Sequence, residues 1–191
     1  MLIMPDAPPI YRILSIDPGS YNLGFALIDL DVAYRTATVV SAGTFYSKGA
    51  VDSYAFLSEI QGERFTRFHY LQQAVSNLLE QSQPQWVISE APYLGKFLQA
   101  YETLVECLSM LRQEVYRYNP ALPLETVDPP SVKKAVGASG RGKDKDMVRV
   151  ALSQMSKLHW RETTLATLDE HAVDAVAVGC YKIRCVSDDI L

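Results

Sequence analysis

A chain of 191 residues with 48% hydrophobic content and a mean hydropathy of −0.01 has the make-up of one globular domain that can bury a sizeable core. No stretch reaches the length of a membrane span, and the N-terminus lacks the basic start and apolar run of a secretory signal, so neither a membrane protein nor a secreted one is expected. A net charge of −4 excludes a uniformly basic nucleic-acid-binding surface but not a local one.

Residues 1–10 carry Pro5, Pro8 and Pro9 and read as a flexible arm ahead of a single domain over 11–191. Residues 11–17 form a nearly continuous apolar run, the signature of a strand buried on both faces. Strands over 22–31 and 36–46 follow after short breaks, which suits an antiparallel meander. Residues 47–62 are polar and small, hence a loop or short helix. From 63 to 81 the apolar positions Phe65, Phe68, Leu71, Val75, Leu78 and Leu79 fall at helical spacing. A buried strand over 85–90 ends before Pro92. The longest predicted helix, 94–118, has a broad apolar stripe through Leu94, Phe97, Leu98, Tyr101, Leu104, Val105, Leu108, Leu111 and Val115, wide enough to face both a core and a partner. A short strand at 124–128 leads through Pro129-Pro130 into a helix opening at Ser131. A flexible turn covers 137–142, and helices are predicted over 143–158 and 168–184. The order of elements predicts an α/β fold with a mixed five-stranded sheet, three antiparallel strands continued by two parallel ones, flanked by helices.

Three cysteines, Cys107, Cys180 and Cys185, lack CxxC spacing and are expected to be reduced packing residues of a cytoplasmic protein. Charge is unevenly spread. Residues 131–157 hold seven cations against two acids, a local +5 that leaves −9 for the rest. A basic patch on an acidic body can hold a phosphate backbone, although a solvated helix face has the same composition.

The acids show a pattern. The first strand ends in Ser15-Ile16-Asp17-Pro18-Gly19 and the fourth in Val87-Ile88-Ser89-Glu90. His171 and Asp174 share one face of the last helix at i and i+3. Taken singly, Asp17 is a turn residue, Glu90 a helix-start charge, His171 a buried core histidine and Asp174 half of an ion pair. Together they resemble a site that gathers ligands from distant segments around divalent cations for phosphodiester cleavage. Asp174 heads an apolar helix, where an unpaired carboxylate costs several kcal/mol to bury.

At this point the chain resembles RuvC-type Holliday junction resolvases. The resemblance rests on Ile16-Asp17-Pro18-Gly19 with Gly24 following, Val87-Ile88-Ser89-Glu90, Val132-Lys133-Lys134-Ala135-Val136-Gly137 and His171-Ala172-Val173-Asp174-Ala175-Val176-Ala177, over roughly residues 11–185. It implies a ribonuclease H-like fold, a homodimer, and paired nicking of four-way DNA junctions with Mg²⁺ or Mn²⁺, two ions per site. The origin it suggests is bacterial or phage, so the expected location is bacterial or infected-host cytosol.

Residue by residue, Asp17, Glu90 and Asp174 match the family's metal-binding acids. His171 matches a position that is Asp in many members and His in some, and Glu170 is the competing ligand. A histidine there gives a softer site with less negative charge, favouring Mn²⁺ somewhat. Tyr93 falls where the family stacks an aromatic on an unpaired base, an interaction of ~1–3 kcal/mol. Lys133 and Lys145 match basic positions near the scissile phosphate, and Lys134, Arg141, Lys143 and Arg149 would extend the backbone contact. The 94–118 helix takes the place of the family's dimer helix. The acidic overall charge, the 47–62 segment and the N-terminal arm depart from the family pattern.

Three other readings compete. The YqgF-like branch of the same fold, linked to RNA processing, is usually shorter and lacks this pairing of lysine-rich segment and His-Ala-Val-Asp-Ala. The actin-like nucleotide-binding fold shares the Asp17-x-Gly19 hairpin but needs two such domains. A non-catalytic junction binder has no use for a complete acid set.

Overall fold

The structure, a computed structural model, describes residues 10–94, 97–138 and 146–186. The first apolar run becomes the central strand β1 (Ile10–Asp17). It pairs antiparallel with β2 (Asn22–Asp31), which pairs antiparallel with β3 (Thr36–Tyr46). On its other side β1 runs parallel to β4 (Trp86–Glu90), and β4 parallel to β5 (Leu124–Val127). These are the five expected strands in the expected orientations. A sixth, β6 (Leu158–Trp160), lies parallel against the outer edge of β3, giving the order β5-β4-β1-β2-β3-β6. Three residues are too few to show a period of two, so this strand left no sequence signal.

The helices are α1 (Ala50–Ser53), α2 (Ala55–Gln61), α3 (Glu63–Ser82), α4 (Leu98–Tyr118), α5 (Pro129–Val136), α6 (Met147–Ser153) and α7 (Glu170–Val186). Three expectations need correction. The helix expected over 143–158 is only α6 among the described residues. It stops at Ser153 because the Gln154 and Met155 N–H groups turn back onto the Ala151 and Leu152 carbonyls, and the chain then extends into β6. The long helix starts at Leu98, not 94. The Ala91 N–H donates to the Val127 carbonyl, prolonging the sheet, and Phe97 is extended. The helix expected from 168 starts at Glu170, after a 3-10 turn at Leu165–Thr167. The 47–62 segment folds largely as α1 and α2. No helix among the described residues is long and apolar enough to cross a membrane.

The two-sided burial read from β1 has a simple basis. Ile13 faces a core closed by α5, α6 and α7, with Ile28, Val132, Val148, Ala175, Val176 and Ile183. Leu14 and Ile16 face the opposite core, closed by α3 and α4 with Leu71, Val75, Leu79, Cys107, Leu111 and Val115. Cys107 and Cys180 are buried, as expected of packing residues, but Cys185 is exposed at the end of α7, where the helix leaves its core.

Candidate active site

Side chains alternate across a sheet, so the face of each strand-end acid is set by its strand. Ile13 packs towards α7, two positions apart from Ser15 and four from Asp17; Ile88 packs the same way, two before Glu90. Asp17 and Glu90, on neighbouring strands, therefore both turn to the side where α7 lies. Gly24, opposite Asp17 in the β1–β2 register, brings α7 close. A Cβ at Gly24 would stand 2.1 Å from the His171 carbonyl oxygen, so only glycine lets the first turn of α7 rest on the strand beside Asp17.

The start of α7 is pinned by Asp169, a residue the sequence reading passed over. Its carboxylate accepts from the Ala172 N–H at 2.9 Å, from the Thr44 hydroxyl at 2.7 Å and from the Tyr46 hydroxyl. Burial opposes its ionisation, but these donors outweigh that and hold its pKa below the usual carboxylate value. An acid just before an apolar helix was the available signal, since it is a preferred N-cap. Arg149 supports the preceding loop by donating to the Leu168 carbonyl at 2.7 Å and to that of Leu165.

The acids repel one another. Burial, then the charges of Asp17 and Asp174, push the Glu90 carboxyl up to about 7. Burial, then Asp17, push Asp174 up to about 6. Lys133 on α5 stands near enough to lower both, but leaves most of the negative charge uncompensated. Glu170 adds to the charge felt by Asp174.

His171 bridges two groups. Its Nδ1 lies 2.9 Å from Asp17 Oδ2, and its Nε2 lies 3.1 Å from the Asn22 amide nitrogen. With Nδ1–H donating to Asp17, Nε2 carries the lone pair that accepts from Asn22. The hydrogen bond to Asp17 raises the His171 pKa above its usual value, against the effect of burial. Asn22, at the start of β2, was also missed by the sequence reading; a lone amide carries no signal.

Five of the sequence-selected residues thus come together: Asp17, Glu90, Asp174, His171 and Lys133. Tyr93 stands exposed just beyond Glu90, at 64% accessibility. Lys134 points elsewhere, into a cavity beside Tyr181 and Arg184. Arg141, Lys143 and Lys145 lie outside the described residues. Among the described residues no three His, Cys, Asp or Glu side chains close into a cage for a metal. An open set of carboxylates with surplus charge nevertheless fits a hard cation that keeps much of its water and shares the rest with phosphate. The donor chemistry therefore suits Mg²⁺ or Mn²⁺.

No family model and no curated sequence matches the chain. Solved structures do. The Thermus thermophilus RuvC structure aligns with TM-score 0.67 at 15% identity, over 93% of this chain and 96% of that one. The T. thermophilus RuvC complex with Holliday junction substrate gives 0.62 at 16%, over 92% and 95%. The yeast mitochondrial Holliday junction resolvase gives 0.62 at 15%, over 94% and 80%. The fowlpox virus resolvase in complex with substrate junction DNA gives 0.56 at 13%, over 92% and 99%. The chain therefore has the RuvC form of the ribonuclease H-like fold, across nearly the full length of these proteins.

Proposed function

We propose that this chain is a metal-dependent endodeoxyribonuclease that resolves four-way DNA junctions by paired, symmetric nicks. The observation that carries this reading is the gathering of Asp17, Glu90 and Asp174 at one end of the sheet, with pKa values of about 7 for Glu90 and about 6 for Asp174. Half-buried carboxyls raised by burial and by neighbouring carboxylates, as Glu90 and Asp174 are, mark a place built for compensating positive charge. Asp17, Glu90 and Asp174 would hold two Mg²⁺ or Mn²⁺ ions, with His171 at the edge of the set. When bound, such ions activate water and stabilise the leaving oxygen of a phosphodiester.

The chain's own residues do the rest. Asp17, fixed at the end of β1 between the two cores, is the common neighbour of Glu90, Asp174 and His171 and suits a bridging role. His171, itself held by Asn22, orients its carboxylate. Lys133 supplies a cation beside the acids, where it can bind the phosphate that reacts; Lys145 is assigned the same task. Tyr93 is exposed and free to stack on an unpaired base. Lys134, Arg141 and Lys143 are assigned to the flanking backbone. Arg149 is engaged with two carbonyls and serves to hold the loop before α7.

A homodimer is part of the proposal, since two symmetric nicks need two active sites related by a two-fold axis. The N-terminal half of α4 supports it. Leu98 is 61% exposed and Val105 43%, and Leu94 and Phe97 just before the helix are 61% and 74% exposed. The buried positions of α4 begin only at Cys107. Incubation of the protein and Mg²⁺ with a synthetic four-way junction and a matched linear duplex tests the reading. Paired nicks in the junction alone support it. Equal cutting of both substrates indicates a general nuclease, and junction binding without cutting indicates a non-catalytic binder.

A further inference from the structure

On the far side of α5 from the acids, α5 and the C-terminal part of α7 enclose a cavity of about 390 Å³ lined by Ser131, Lys134, Ala135, Tyr181, Arg184 and Cys185. Among the described residues its charged lining, Lys134 and Arg184, is positive. The two carboxylates nearest it are already engaged. Asp128 caps α5 by accepting from the Ser131 N–H and hydroxyl, and Glu125 is paired with Lys182 at 2.6 and 2.8 Å. Lys134 and Arg184 have no carboxylate partner among the described residues. The Arg184 Nε is buried and has no hydrogen-bond partner among the described residues. Lys134 and Arg184 thus set two cations side by side in the cavity lining, an arrangement that suits an anion.

The cavity is aligned with the acids. Asp174 and Cys185 lie three turns apart on one side of α7, ~16 Å along its axis at ~1.5 Å per residue. Phosphates of one strand wind round the duplex at ~10.5 bp per turn and ~3.4 Å rise, so a separation of ~16 Å on one face corresponds to about three nucleotides. Resting on the reading of the chain as a junction nuclease, we propose that this cavity is a second phosphate site. It holds the DNA backbone of the cleaved arm about three nucleotides from the reacting bond. Lys134 and Arg184 bind the phosphate there, and Tyr181 forms the wall.

Cys185 makes the proposal testable on the unaltered protein, because it lines the cavity and the other two cysteines are buried. The rate of its alkylation is measured with Ca²⁺ in place of Mg²⁺, and junction binding is followed in parallel by gel shift. With a four-way junction at about ten times its Kd, alkylation should slow about tenfold. A junction carrying neutral methylphosphonate linkages about two to four nucleotides from the nicked bond should bind with a smaller salt slope and protect Cys185 far less. Lys134→Gln and Arg184→Gln should each lower the salt slope of junction binding by about one unit. A bound junction that leaves Cys185 alkylating at its free rate overturns the proposal. So does inorganic phosphate that protects Cys185 as fully as the junction, which would make the cavity a free-anion site. Absence of any gel shift instead fails the junction reading itself, and the second site falls with it.

Discussion

His171 Nδ1 lies 2.9 Å from Asp17 Oδ2, and its other ring nitrogen faces the Asn22 amide. The acid best placed to bridge two ions is thus already held by a neighbour that can carry a positive charge. A proton on the imidazole and a cation at the acids are alternative ways of answering the same negative charge. Several expectations follow from that competition and from the packing that creates it.

Asp17→Asn should abolish cleavage while leaving junction binding largely intact, because the carboxylate charge serves the metal and not the DNA backbone. A nicking rate near that of the wild type would show the site to be misassigned. The substitution should also lower the pKa values of Glu90 and Asp174, since Asp17 is the charged neighbour that raises each of them most. Carboxyl titrations followed by NMR would show this without any activity measurement.

His171 carries a pH-dependent expectation. Its pKa is raised by Asp17, so protonation extends to higher pH than for a free histidine. As pH falls, the imidazolium pairs with Asp17 and cannot ligate, so activity at low metal should drop and be partly restored by more Mn²⁺. His171→Asp should keep activity, flatten the acid limb and shift preference towards Mg²⁺. Rate–pH profiles at two metal concentrations check this. A dead Glu170→Ala variant beside an active His171→Ala would instead make Glu170 the ligand.

How much of this was legible in the sequence depended on the length of each signal. β1 was read from an unbroken apolar run and lies buried between two cores, as that pattern implies. Asp17, Glu90 and Asp174 were singled out because each stands at an abrupt change from apolar to acidic within a periodic element. β6 was missed because Trp160 and its two neighbours are too short to display a period. Asn22, Thr44 and Tyr46 were missed because their roles exist only after β2, β3 and α7 converge, whereas Asp169 carried a local N-cap signal that was passed over. The structural role of Arg149 was hidden for a related reason. Composition shows a cation in a basic segment, but not the two carbonyls that hold it.

Gly24→Ala tests the packing that brings α7 to the sheet. The added methyl would meet the His171 carbonyl oxygen at 2.1 Å, where only backbone movement can relieve the clash. A loss of about 1–3 kcal/mol in urea unfolding is expected. Activity should fall further than stability alone accounts for, because His171 and Asp174 move with the helix. Gly43→Ala is the control, since its methyl would meet only the Phe25 ring edge at 3.3 Å. Equal, small effects at both positions would refute the close approach of α7 to β2.

The exposed apolar surface at the start of α4 should be covered by a second copy. Light scattering or sedimentation should give about twice the chain mass at micromolar concentration. Leu98→Glu together with Val105→Glu should yield a folded monomer that no longer makes paired nicks, because both positions are exposed in the single chain. A wild-type monomer that still resolves junctions symmetrically would sink the dimer assignment.

The acid cluster should also leave a mark on stability in the absence of metal. Glu90 has a folded pKa of about 7 against an ordinary 4.5, and Asp174 about 6 against 3.8. The folded state therefore binds more protons than the unfolded chain across that interval. Its stability is greatest below the unfolded values and declines as pH rises through the folded ones. His171, also raised, acts in the same direction, while the depressed Asp169 contributes above its ordinary pKa and is lost only in stronger acid. The metal-free protein should thus unfold at lower urea at about pH 8 than at about pH 5. A cation that binds only the ionised, folded site stabilises by RT ln(1 + [L]/Kd), about 2.7 kcal/mol at about 100 times Kd. Mg²⁺ or Mn²⁺ should therefore raise the urea midpoint strongly at the higher pH and little at the lower. Asp17→Asn should shrink both the pH dependence and the metal response. A metal-free midpoint that rises steadily from the lower pH to the higher would mean that the carboxylates are neutralised by groups other than a bound cation.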